Sequence, residues 1–80
     1  MRVVTVYSTP ECHLCAAAMA ALRRLQPELG FALQEQDITV DDVLHRIYLE
    51  RVPVVALDGE DLFDYFVDEA VLRERLESRR

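Results

Sequence analysis

Two cysteines separated by two residues, Cys12-His13-Leu14-Cys15, carry the clearest chemistry in this chain. At the start of a helix, such a pair can close a small disulfide ring. A helix start also offers unpaired N–H groups and the positive end of the helix dipole, and both favour a thiolate over a thiol. In such settings thiol pKa values fall from about 8.5 into a range of about 3.5–7.5. The spacing predicts a division of labour. An exposed Cys12 at the helix mouth attacks a substrate disulfide, and a more buried Cys15, one turn in, attacks Cys12 and releases the product. Cys12 and Cys15 are therefore the candidate catalytic pair. His13, if protonated, favours thiolate at Cys12; read otherwise, it is an exposed histidine of little effect. Glu11 pushes the other way, and the chain has no lysine to offset it.

The same spacing also suits a metal. Zinc takes four ligands, but His13 points elsewhere if the helix begins at Cys12, and His45 falls beside Leu44 on a separate helix. No metal ligands are assigned within the chain. A thioredoxin-like module sharing a metal or iron–sulfur site between two chains stays open as an alternative, as does an adaptor that does no chemistry.

The elements that must position the pair read as an alternating chain. Residues 3–7 are β-branched and aromatic with apolar residues on both faces, which predicts a strand buried on both sides. Residues 8–11 form a loop. From Cys12 onward, Leu14, Ala17, Ala18, Ala21, Leu22 and Leu25 recur at helical spacing, and Pro27 and Gly30 mark the exit. Residues 31–38 alternate weakly and predict a strand nearer the sheet edge. Thr39, with Asp42 three positions on, resembles a capping box. Val40, Val43, Leu44, Ile47 and Tyr48 then give a second helix. A third strand opens at a proline within residues 51–57, Asp58-Gly59 is a two-residue hairpin signal, and Glu60 to about Tyr65 returns. Asp68 caps a last helix that buries Val71, Leu72 and Leu76. The order β-α-β-α-β-β-α predicts an α/β fold: one domain with a four-stranded mixed sheet and helices on both faces, its βαβ half a right-handed crossover.

Composition narrows the function classes. The chain has 80 residues, enough for one core that buries roughly 60–70% of the unfolded surface. Its net charge is −6, every basic residue is arginine, and no basic stripe exists. Nucleic acid and anionic membranes are therefore poor partners. No apolar run approaches the ~18–20 residues of a membrane span, and the N-terminus lacks the features of a signal peptide. The expected location is the cytoplasm, where a cysteine pair reads as catalytic or metal-binding rather than as a structural staple.

With these residues in view, the chain resembles the glutaredoxin-like branch of the thioredoxin superfamily, and in particular its short bacterial members. The resemblance rests on residues 4–15, on Asp37-Ile38, and on Val52-Pro53 followed by Val54-Val55 and Asp58-Gly59. It implies a thioredoxin-like fold and thiol–disulfide oxidoreductase activity. It also implies a cis proline at Pro53 that faces the cysteines, with the Val52 backbone beside Cys12 to pair with an extended substrate or glutathione. The implied partners are a disulfide-containing protein or glutathione, with an unidentified reductase to restore the dithiol. No cofactor is implied beyond glutathione as reductant or co-substrate, and the chain is expected to be a monomer. Arg51 or Arg46 is a candidate for a glutathione carboxylate, against the reading of a solvated helix face. Three departures stand out: His13-Leu14 replaces Pro-Tyr between the cysteines, no lysine precedes Cys12, and residues 63–68 lack the Gly-Gly turn that helps hold glutathione. In that stretch Phe63, Tyr65 and Phe66 are expected to pack on the last helix. The alternative is an apolar rim for a protein substrate near Cys12.

Overall fold

The computed structural model describes residues 2–77. β1 (Val3–Ser8) leads into α1 (His13–Leu29) and β2 (Ala32–Asp37). A short 3-10 turn (Ile38–Val40), α2 (Asp42–Tyr48), β3 (Val54–Leu57), β4 (Glu60–Asp64) and α3 (Glu69–Glu77) complete the chain. The strands lie in the order β2-β1-β3-β4. β1 pairs in parallel with β2 and antiparallel with β3, and β3 pairs antiparallel with β4. This is the mixed four-stranded sheet of the thioredoxin-like fold that the sequence predicts.

Alternation along β1 sorts the two faces. Val4, Val6 and Ser8 are buried, whereas Val3, Thr5 and Tyr7 are half-buried. On the first face Met19, Leu22 and Leu25 of α1 and Leu72 of α3 meet Val4, Val6, Val55 and Leu57 in one core. β1 is thus fully covered on one side only, not on both. On the other face the Tyr48 ring of α2 stacks on Tyr7, with centroids 4.4 Å apart and planes 15° from parallel. In β4 a register shift at Val55/Ala56 lets the neighbours Leu62 and Phe63 both pack against the core.

The helices depart from expectation in three places. In α1 the buried stripe is Cys15, Ala18, Met19, Leu22 and Leu25. Leu14 and Ala17 face solvent and Met19 replaces them, because the turn into the helix aims Cys15 at the sheet. Pro27 lies inside the last turn of α1 rather than ending it; the bond it forfeits is to the carbonyl of exposed Arg23, which water can satisfy. Gly30, at φ 73°, is the stop. Finally, Thr39 does not cap α2. Ile38 is buried and pins the 3-10 turn, and the Asp41 carboxylate accepts from the amides of Val43 and Leu44 at 2.8 and 3.1 Å. Val40, Val43 and Ile47, expected on the inner face, are exposed. The third strand begins at Val54, immediately after the proline expected to open it, and the Asp68 cap on α3 is present, accepting from the Val71 amide at 3.1 Å. Of the three residues expected inside on α3, Leu72 is buried and Val71 and Leu76 are half-buried.

Asp58 and Gly59 turn β3 into β4 with φ of 51° and 89°. Both signs are those of the mirror-image turns that match strand twist. Asp58 also accepts from the Val3 amide at 2.8 Å and pairs with Arg2, tying the turn to β1. A Cβ at Gly59 would meet nothing within 4 Å, so Gly59→Ala bears only the backbone cost. Urea unfolding is expected to give a loss of about 1–2 kcal/mol, and a neutral result would refute the left-handed turn.

Candidate active site

The chain leaves β1 at Ser8, reverses through residues 9–11, and enters α1. Glu11, at φ 64°, sits in the left-handed region immediately before Cys12. Non-glycine residues there bear a backbone cost of about 1–2 kcal/mol, so the sharp reversal at the helix mouth is built against local preference. Cys12 is the N-cap, and its Sγ accepts from the Cys15 amide at 3.1 Å. A sulfur thus takes the place usually held by a serine or aspartate oxygen. It satisfies one of the orphan N–H groups of the first turn and remains half-exposed.

Cys15 lies one turn further on and is 2% exposed. No disulfide joins the two. Burial pushes the Cys15 thiol up to about 11, helped by its hydrogen bond with Cys12 and by the negative charge of Glu35; the Thr9 amide acts in the opposite direction. The pair is therefore asymmetric in access, and its buried member is held in the protonated form. A folded-state value raised from 9.0 to about 11 means the native state holds a proton that the unfolded chain gives up. The associated stability is intact below pH 9.0 and is lost as pH rises through about 11. Its size is on the order of 2–3 kcal/mol. Alkaline unfolding curves are expected to show this loss in wild type and not in Cys15→Ala. Parallel curves for the two proteins would contradict it.

Two contributors were missed in the sequence. Ser8, assigned to a loop, ends β1, is 3% exposed, and donates its hydroxyl to Glu35 Oε2 at 3.1 Å. Continuing the Val4, Val6 alternation by one step would have placed it inward. Glu35, in the weakly alternating second strand, lines one hollow with both cysteines, Thr9, Glu11 and His13. Nothing local in the sequence marks it; the β1–β2 register brings it there.

The remaining candidates are dispersed around the same end of the sheet. Tyr7 pairs with Val54 and Val54 with Asp64, so the Cys12 loop, Pro53 and Tyr65 leave the sheet together. The Val52–Pro53 bond is cis. Pro53 is buried, Val52 is half-buried, and the Pro53 carbonyl accepts from the Tyr65 amide at 2.7 Å. His13 opens α1 and is exposed. Arg51 is held by Asp64 through two bonds of 3.1 Å, reaches Asp61 at 3.4 Å, and lies over the Tyr48 ring. It is thus already paired with carboxylates, and Arg46 is exposed on α2. Phe63 is half-buried against the core, whereas Tyr65 and Phe66 are exposed instead of packing on the last helix. Among the described residues, no group of three or more His, Cys, Asp or Glu side chains is arranged to hold a metal ion. No helix of the described residues is long and apolar enough to cross a membrane.

Known structures share the fold of this chain. A Nitrosomonas europaea protein solved in solution is 37% identical, with a TM-score of 0.79 over 89% of this chain and 86% of its own. A structural-genomics target protein from X. campestris is 32% identical, with a TM-score of 0.76 over 96% of this chain and 99% of its own. A mutant thioredoxin from Halobacterium salinarum, 24% identical, shares the fold with a TM-score of 0.69 over 96% of this chain and 73% of its own. No curated protein matches the chain at a significant level. The family described as the glutaredoxin-like domain (DUF836) matches residues 3–77, and the chain belongs to it.

Proposed function

We propose that the protein is a dithiol–disulfide oxidoreductase in which Cys12 is the nucleophile and Cys15 the resolving thiol. The observation that carries this reading is the asymmetry of the pair. Cys12 Sγ is half-exposed at the helix mouth and accepts an amide N–H, while the Cys15 thiol is buried and holds its proton. Thiolate, not thiol, is the nucleophile in disulfide exchange.

In the first step the Cys12 thiolate attacks one sulfur of a substrate disulfide. A Cys12–substrate S–S bond forms, the substrate bond breaks, and the departing thiolate takes a proton from water. In the second step Cys15 loses its proton and attacks Cys12 Sγ. The Cys12–Cys15 bond forms, the Cys12–substrate bond breaks, and the second substrate sulfur leaves as a thiol with the proton that Cys15 released. Two electrons pass from the dithiol to the substrate. A thiol or dithiol reductant must then return them, which suits the reducing cytoplasm. Val52, beside Pro53, offers its backbone to an extended substrate at the same end of the sheet, and His13 stands at the entrance.

Redox titration of the pair in glutathione buffers, followed by mass spectrometry, tests the reading. The expected result is a reversible loss of two thiols within one chain, without dimerisation. Visible absorbance or stoichiometric metal in anaerobically purified protein would favour a cluster-binding module. A Cys12 thiol no more reactive than free cysteine would favour an adaptor.

A further inference from the structure

We infer that the physiological substrate is a protein disulfide flanked by a basic and an apolar side chain, and that glutathione is disfavoured. The inference rests on the dithiol exchange proposed above and concerns what the surface beside Cys12 selects.

On one flank, the hollow into which Cys12 and Cys15 open carries the carboxylates of Glu11 and Glu35, both on exposed residues. The adjoining hollow adds Asp37 beside Glu35. Hydrogen bonds from the Thr39 hydroxyl and amide hold the Asp37 carboxyl below its ordinary value, so it stays charged. No arginine lines either hollow, and Arg51 is occupied by Asp61 and Asp64. Glutathione, a net anion, meets the repulsion of these carboxylates, with no arginine in the lining to offset it. A lysine or arginine beside the substrate cysteine meets the opposite.

On the other flank, Leu14 is 54% exposed and Phe66 is 64% exposed. They line an apolar groove with Ala17, Ala21, Tyr65 and Val67. The groove begins inside the Cys-x-x-Cys segment itself. Tyr65 ties it to the Pro53 carbonyl, so it opens at the same end of the sheet as the reactive sulfur. Apolar side chains exposed together mark a surface that an apolar side chain covers. A peptide crossing the α1 mouth thus meets carboxylates on one side of its cysteine and hydrocarbon on the other.

The test uses cysteine peptides presented as mixed disulfides with thionitrobenzoate, whose release by Cys12 is followed by absorbance. One peptide carries arginine and phenylalanine beside its cysteine, a second glutamate and phenylalanine, and a third arginine and glycine; glutathione is the fourth. Each rate with the reduced protein is divided by the rate of the same compound with dithiothreitol. At low salt the first peptide is expected to react about tenfold faster than the second and than glutathione, narrowing to about threefold at high salt. The E11Q/E35Q variant is expected to bring the charge preference below about twofold. Phe66→Ala is expected to erase a roughly fivefold advantage of the first peptide over the third, leaving the charge preference in place. Equal normalised rates for all four compounds, or preferences unmoved by these variants, would overturn the inference while leaving the exchange chemistry standing. If wild-type protein releases no thionitrobenzoate from any compound, the exchange reading fails and takes this one with it.

Discussion

Cys12→Ser is expected to reduce disulfide reductase turnover by at least about a thousandfold, because removing a nucleophile removes the covalent route rather than weakening it. Serine fits the N-cap as well as cysteine does, so the variant should fold, and far-UV circular dichroism checks that it does. Cys15→Ser is expected to behave differently. Its Cys12 can still make the first bond but has no partner to break it, so a single-turnover reaction should accumulate a Cys12–substrate mixed disulfide visible by mass spectrometry. The contrast between the variants is the diagnostic. If Cys12→Ser traps the adduct and Cys15→Ser does not, the roles are reversed; the burial of Cys15 at 2% exposure argues against that outcome. Full turnover by Cys12→Ser would remove the mechanism altogether.

The largest effect on stability is expected at Leu22. It is fully buried and joins α1 to Val4, Val6 and Leu72 within a single core. Truncating a buried leucine costs about 2–5 kcal/mol, made up of lost transfer free energy and the cavity left behind. A site enclosed by two helices and a sheet has little room to collapse, which places Leu22→Ala at about 3–4 kcal/mol. Domains of this size have stabilities toward the lower end of about 5–15 kcal/mol, so the loss is a large share of the whole. In a domain this small it corresponds to a fall in the thermal midpoint of about 15–25 °C. Val43→Ala on α2, where the side chain is 61% exposed, is expected to stay within about 0.5 kcal/mol of wild type. A Leu22→Ala midpoint within a few degrees of wild type would mean that the core is not organised around α1.

Periodicity served well where one face of an element is buried and poorly where it is not. Val4 and Val6 alternate inward, Leu22 and Leu25 repeat at helical spacing, and Asp58-Gly59 has the one chemistry its turn needs. The β-α-β-α-β-β-α order followed from these. Val40, Val43 and Ile47 had the periodicity of a buried helix face, yet all three are exposed, and Val40 falls in the 3-10 turn before α2. Its orientation is set by the Asp41 cap and by the Tyr7–Tyr48 stack, a contact across forty residues that no local pattern encodes. Leu14 misled for a related reason: the N-cap role of Cys12 fixes the rotation of α1 and turns Leu14 outward. At the site, spacing located the cysteines and their unequal exposure. Glu35 arrives through strand register and Ser8 through a strand one residue longer than expected, so neither was legible as part of the site.

The manner in which α2 is attached has a consequence for how the molecule comes apart. It contributes no buried side chain and is fastened by the ring of Tyr48, by the Tyr48 hydroxyl on Asp61 and by the Arg51 clamp on Asp64 and Asp61. Elements with little buried hydrocarbon open at a fraction of the free energy needed for global unfolding. The connection between β2 and β3 can therefore breathe as a separate unit while the β1-α1 junction that aligns both sulfurs stays closed.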